Sequence, residues 1–123
     1  KSMASSLTAT DLGPWLRERG IDTLTVVGYM THNCDDATVR QAMHEGWKVE
    51  LLHDAAGSLP YANSLGTATA EEIHRVFTIV MHTGFAAVVS TGEWLKALAS
   101  GEALEADNVF LSNQRALAGR GTS

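Results

Sequence analysis

The single cysteine of the chain, Cys34, is the residue whose position best suits chemistry. It follows a short β-branched run that ends near Gly28, and a segment with helical spacing begins around it. A thiol in the first turn of a helix gains from the helix macrodipole and from free backbone N–H groups, which favour a thiolate and can hold a developing oxyanion. A lone cysteine is also commonly just a small buried core residue. Position alone therefore leaves a nucleophile and a packing residue as alternatives.

Two acidic residues, Asp35 and Asp36, follow the cysteine directly. Carboxylates suit a helix N-terminus, but close to the sulfur they would disfavour a thiolate. A reactive Cys34 therefore needs a nearby cation, and the candidates in this sequence are Lys1 and His32.

The elements that must position Cys34 alternate between helices and short apolar strands. Helices are predicted between a cap at Thr10 and Gly20, over 33–45, from a capping box at Thr69 to Gly84, and from a cap at Thr91 to Gly101. Strands are predicted over 23–29, 47–52 and 85–90, with a long loop over 55–68. Strands separated by helices predict a parallel sheet with helices on both faces. The working site of such a sheet lies at the carboxyl ends of its strands, which is where Cys34 falls.

The amino-acid composition and the sequence pattern argue against several classes of partner. The 123 residues fit one small domain, and 45% hydrophobic with 19% charged residues is ordinary for a globular protein. The net charge is −5 and the nine Lys and Arg are scattered, so nucleic acid is not expected as a partner. No apolar run approaches the ~20 residues that span a bilayer, and the first nine residues lack the apolar stretch of a secretory signal. We therefore expect no membrane partner and a cytoplasmic location. No Cys/His cluster has metal-ligand spacing, so neither a metal nor another cofactor is expected.

The stretch around the cysteine resembles the nucleophile motif of the isochorismatase-like, or nicotinamidase-related, cysteine hydrolases. A strand ends in Gly28, Cys34 follows six residues later, and Thr, Ala and Gly recur downstream at Thr38, Ala42 and Gly46. Asp35 departs from the usual valine.

The resemblance extends to both sides of this motif, over about residues 1–98. Lys1 and the later Thr10-Asp11-Leu12 look like the family segment that carries the catalytic lysine, with Leu7 in place of phenylalanine. The implied fold is a three-layer α/β/α sandwich with a mainly parallel sheet, of which the first strand or strands are absent from this chain. We expect 1–101 to be the C-terminal part of one such domain and 102–123 to be an arm or partly disordered tail.

The resemblance also implies a mechanism. Cys34 attacks a carbonyl carbon and Lys1 stabilises charge, while the proton passes to an aspartate that precedes the lysine and so lies outside this chain. It implies a cis peptide at Tyr29-Met30, with the backbone amides of Met30 and Cys34 as the oxyanion hole. Tyr29, His32 and Tyr61 are candidates for lining the substrate pocket. The three helical histidines are interpreted as structural: His44, His74 and His82.

The sequence thus predicts a homo-oligomeric cysteine hydrolase of small amides or related C–N carbonyl compounds. One alternative is a catalytically silent binding or assembly module, which applies if the strand with the aspartate is truly absent. Another is hydrolysis of the isochorismate vinyl ether, a reaction of family members that lack the cysteine. The presence of Cys34 argues against it.

Overall fold

The computed structural model describes residues 1–120 and shows helices and strands in alternation. In chain order the elements are α1 (Leu12–Glu18), β1 (Thr23–Tyr29), a π-helical turn (Thr31–Asp35), α2 (Asp36–His44), β2 (Lys48–Gly57), β3 (Tyr61–Asn63), β4 (Gly66–Ala68), α3 (Ala70–Met81), β5 (Ala87–Val89), α4 (Thr91–Ser100) and α5 (Val109–Arg120). The described helices include none that is both long and apolar enough to cross a membrane.

A parallel sheet of three strands forms the centre, in the spatial order β1-β2-β5. Thr23 pairs with Lys48 at the start of β1, and Glu50 pairs with Ala87 at the start of β5. Each crossover between these strands contains a helix, as parallel pairing requires. The α/β fold with a parallel sheet is therefore confirmed.

The two faces of β2 carry different chemistry. Val49 and Leu51 point to one face, where they join a buried cluster that includes Val39 and Ala42 of α2. Glu50 points to the other face by the alternation of a strand. Its carboxylate accepts hydrogen bonds from Thr25 Oγ1 at 2.8 Å and from Trp94 Nε1 of α4 at 3.2 Å. Helices therefore pack on both faces of the sheet. The contact with α2 is apolar, and the contact with α4 includes the hydrogen bond from Trp94 to Glu50.

The helix starts differ in detail from the predictions. The capping box at Thr69 is confirmed, with Glu72 as its partner. The cap of α4 is Ser90 rather than Thr91, because both the amide and the hydroxyl of Thr91 donate to Asp54 Oδ1 instead. The N-cap of α1 is Asp11 rather than Thr10, and the Asp11 side chain accepts no capping hydrogen bond, although the Leu12 amide donates to Thr10 Oγ1 at 3.4 Å.

Replacing Thr69 with alanine should lower the free energy of unfolding by about 1 kcal/mol. The Glu72 amide donates to Thr69 Oγ1 at 3.1 Å and would lose this acceptor. Urea denaturation measures the change. Thr67→Ala, in the neighbouring strand β4, is the control, and equal losses in the two variants would contradict a capping effect.

The predicted loop over 55–68 is instead largely extended. β2 continues to Gly57 with a register shift after the Val26–Leu51 pair, beyond which Gly28 pairs with Ala56 and Tyr29 with Gly57. The antiparallel strands β3 and β4 form a hairpin, hereafter the 61–68 hairpin. Its turn is closed by a hydrogen bond from the Leu65 amide to Asn63 Oδ1 at 2.9 Å.

The region predicted to be an arm or tail contains helix α5 (Val109–Arg120). The Leu111 amide donates to Asn108 Oδ1 at 2.8 Å, which caps α5, and Arg115 forms an ion pair with Asp107. The Asp107 amide donates to the carbonyl of His82 at 2.8 Å and ties the region to the end of α3. The remaining positions of the predicted tail, 121–123, lie outside the described residues.

Candidate active site

The turn that follows β1 places Cys34 at the carboxyl end of the sheet. The Tyr29-Met30 peptide is cis, as the resemblance implies, and the chain then enters the π-helical turn. The Met30 carbonyl accepts from the amides of Asn33 and Asp35 at 3.1 and 3.2 Å. Cys34 is partly exposed within this turn and lies two residues before the start of α2. It therefore lies at a helix start, as predicted, and it is open to solvent.

Lys1 lies beside the cysteine, at the distance that an ion pair requires. Its Nζ is 3.6 Å from Cys34 Sγ. The ammonium is thus placed to stabilise negative charge on the sulfur or on a bound oxyanion. The catalytic roles of the two residues remain predictions.

The two acidic neighbours of Cys34 have different surroundings. Asp36 accepts from Arg40 Nε at 3.0 Å across one helical turn, so its charge is paired. Asp35 is buried, and its Oδ2 has no hydrogen-bond partner within the part of the chain that the structure describes. Burial raises the pKa of the Asp35 carboxyl to about 6. Gly28, whose φ of 116° suits glycine, lies against it, because a Cβ there would be 3.9 Å from Asp35 Oδ1.

A groove of about 440 Å³ runs along the open edge of β1 and ends at these groups. Lys1, Cys34, Asp35 and Tyr29 lie along it. Its walls are apolar and include Leu7, Leu12, Leu16, Leu24 and Val26. The arrangement combines a polar end that carries the Cys34 thiol with a mainly apolar surface.

His32 and Tyr61, the other two candidates for substrate binding, contact each other. His32 Nε2 is 2.7 Å from the Tyr61 hydroxyl, and His32 Nδ1 is 3.0 Å from Ser58 Oγ. The Tyr61 hydroxyl also lies 3.9 Å from Met30 Sδ. These contacts join the 61–68 hairpin to Met30 and to the π-helical turn, whereas Tyr29 lines the groove.

Two contacts of the site were not predicted from the sequence. Thr31 is fully buried, and its Oγ1 lies 2.7 Å from His74 Nδ1 on α3. Ser58 is the partner of His32. Neither pair has a local sequence signal, because the partners are separated by 43 and 26 positions. Within residues 1–120, no group of three or more His, Cys, Asp or Glu side chains could hold a metal ion.

Removing the Tyr61 hydroxyl should loosen the hairpin. Tyr61→Phe keeps the ring that meets His32 edge-on, with centroids 5.2 Å apart, but loses the hydrogen bond. The expected loss is about 1 kcal/mol in the free energy of unfolding, with faster hydrogen exchange in the 61–68 hairpin.

Tyr29→Phe is the matched control for Tyr61→Phe, because Tyr29 is also exposed. It should leave hairpin exchange unchanged. Equal exchange rates in the parent and Tyr61→Phe proteins would contradict the proposed link.

Comparison with known proteins agrees with this geometry. The sequence model of the Isochorismatase domain matches residues 1–93. The chain belongs to the isochorismatase family. The uncharacterised isochorismatase family protein YddQ of Bacillus subtilis is 34% identical over 96 residues, which cover 78% of this chain and 53% of that protein.

Solved structures of this family superpose on the chain. A family structure from Burkholderia xenovorans LB400 has 57% identity and a TM-score of 0.95, and the match covers 98% of this chain and 58% of that one. A cysteine hydrolase from Pseudomonas syringae pv. phaseolicola has 31% identity and a TM-score of 0.78, covering 81% and 47%. The chain thus spans about half the length of the relatives that it matches.

Proposed function

We propose that this chain is the nucleophile-bearing part of a cysteine hydrolase that acts on small amides or related C–N carbonyl compounds. The observation that carries the proposal is the 3.6 Å separation of Lys1 Nζ and Cys34 Sγ at the carboxyl end of β1. A thiol at a helix start with a cation beside it is the arrangement that nucleophilic catalysis by cysteine uses. The family membership and the cysteine hydrolase among the similar structures support the same chemistry.

The proposed reaction has two halves. Cys34 Sγ attacks the carbonyl carbon, and the resulting oxyanion is held by the backbone amides of Met30 and Cys34 near the ammonium of Lys1. The thiol proton passes to a base and then to the leaving nitrogen, so that the C–N bond breaks and a thioester remains. Water then adds to the thioester, releases the acid and restores the thiol. The base is an aspartate that we assign to no residue of this chain.

The substrate class is inferred from one relative. Maleamate amidohydrolase of Pseudomonas putida is 33% identical over 57 residues, which cover 46% of this chain and 27% of that enzyme. Its name describes hydrolysis of an amide, and this favours amides among the C–N carbonyl compounds.

We also propose a homo-oligomer in the cytoplasm. The lone Cys34 suits a reducing compartment. Large apolar side chains of α4 and α5 are exposed, including Leu98 at 62% and Phe110 at 69%. Exposed apolar surface of this kind favours self-association, with 102–123 as the arm that reaches a neighbouring subunit.

The proposed function is tested by ammonia release from a panel of small primary amides, with the complete protein. At least one amide should be hydrolysed, and prior alkylation of Cys34 with iodoacetamide should stop its hydrolysis. Ammonia release that continues at the parent rate after complete alkylation would contradict the covalent mechanism.

A further inference from the structure

One stripe of α2 connects the nucleophile to the segment that carries Lys1. Thr38, Gln41 and Glu45 are spaced by three and four residues, so they follow Cys34 along one side of the helix. Thr38 is buried, and Gln41 is partly buried. The segment 1–11 packs along this stripe, with Leu7 in the hydrophobic core.

The segment is held to the stripe by hydrogen bonds rather than by Leu7 alone. The Ser6 amide donates to Thr38 Oγ1 at 3.0 Å. The hydroxyls of Ser5 and Thr8 both donate to Gln41 Oε1, at 2.5 and 2.6 Å. A single amide oxygen thus anchors the segment on both sides of Leu7.

The orientation of the Gln41 amide is fixed by its second contact. Its Nε2 donates to Glu45 Oε2 at 2.8 Å. A carboxylate only accepts hydrogen bonds, so the nitrogen must face Glu45 and the oxygen must face the two hydroxyls. Ser5 in turn accepts from the Leu7 amide at 3.1 Å, which closes a small network.

We propose that Gln41 is a positioning residue that holds the Lys1 ammonium at Cys34. The proposal rests on the role given to Lys1 under the proposed function. The π-helical turn that carries Cys34 runs directly into α2, which carries Gln41, so the anchor for the cation lies on the helix that continues from the nucleophile. Without Gln41, the hydroxyls of Ser5 and Thr8 lose their shared acceptor, and Lys1 is no longer held beside the sulfur.

The test measures positive charge at Cys34 without needing a substrate. Iodoacetate is an anion and iodoacetamide is neutral, so the ratio of their alkylation rates reports the charge beside the sulfur. Lys1→Met should lower this ratio by up to about fivefold, as expected for one charge near 4 Å in water. Gln41→Ala should lower it by a similar factor. The double variant Lys1→Met/Gln41→Ala should give the same ratio as Lys1→Met alone, because both changes remove the same charge.

Two further variants test the proposal: one removes the hydrogen-bond donors to Gln41, and the other is a control for loss of stability. Ser5→Ala/Thr8→Val removes the two donors while Gln41 stays, and it should lower the ratio as Gln41→Ala does. Met43→Ala lies on the same helix and disturbs the core instead, so it should leave the ratio unchanged even though it lowers stability. The parent ratio in Gln41→Ala, or a further fall in the double variant below Lys1→Met, would overturn the proposal. Either result can occur whether or not the protein hydrolyses amides, so the two failures are distinguishable.

Discussion

Replacing Cys34 with serine should lower kcat/KM for amide hydrolysis by the complete protein by at least about three orders of magnitude. A serine hydroxyl at this site has the shape of the thiol but ionises far less readily, and the adjacent Lys1 ammonium cannot offset that difference. Because Cys34 is partly exposed and serine is nearly isosteric, the free energy of unfolding should change by less than about 1 kcal/mol. Steady-state kinetics and urea denaturation of the same preparation measure both quantities.

The alkylation behaviour of the parent protein separates a nucleophile from a packing cysteine. A nucleophile reacts with iodoacetamide in the native state, and Cys34→Ala should be as inactive as Cys34→Ser. A packing cysteine would give the opposite pattern: no alkylation until the protein unfolds, with activity kept and stability lost on substitution. Turnover at the parent rate by Cys34→Ser would contradict the covalent mechanism.

The strands and the longest periodic helix could be predicted because their signals are local. β1 and β5 are short apolar runs, and α3 begins at a capping box whose members are three residues apart. The 61–68 hairpin could not be predicted in this way, because β3 and β4 have three residues each and carry little apolar pattern. The choice of Ser90 over Thr91 as a cap depends on Asp54, which lies 37 positions earlier. A contact between residues so far apart in the sequence cannot be recognised from the residues around either partner.

In the candidate site, too, local features could be predicted from the sequence and long-range contacts could not. The position of Cys34 at a helix start follows from the order of strand, turn and helix, which is a local pattern. The proximity of Lys1 to Cys34 came from the resemblance and spans 33 positions. The hydrogen bonds of Gln41 with Ser5 and Thr8 are equally distant in sequence, and nothing in the residues around Gln41 indicates them. The burial of Asp35 could not be predicted either, since an acidic residue at a helix start is normally solvated.

Asp35 should make the folded chain less stable as the pH rises from about 4 to about 6. Burial raises its pKa to about 6 from the ordinary value of 3.8, so the folded chain holds this proton more tightly than the unfolded chain does. The unfolded chain therefore releases the proton first as the pH rises, and folding loses free energy until the folded-state pKa is passed. Above that pH, the free energy of unfolding stays lower by the full cost of burying the charged carboxylate. A shift of this size corresponds to at most about 3 kcal/mol, and we expect about 2 kcal/mol because a folded chain relaxes around a buried charge.

The variant Asp35→Asn isolates this effect from every other titrating group. Asparagine has nearly the shape of the protonated carboxyl and stays neutral, so the two proteins should have similar stability near pH 4. At pH 7 the Asp35→Asn protein should be more stable than the parent by about 2 kcal/mol. Urea denaturation at intervals between pH 4 and pH 7 gives the difference directly. Because all other titrating groups are common to both proteins, a difference that does not change with pH would mean that Asp35 keeps an ordinary carboxylate in the folded chain. A difference that grows across this range would instead show that, near pH 7, an uncharged side chain beside Cys34 suits the fold better than the aspartate that this sequence carries.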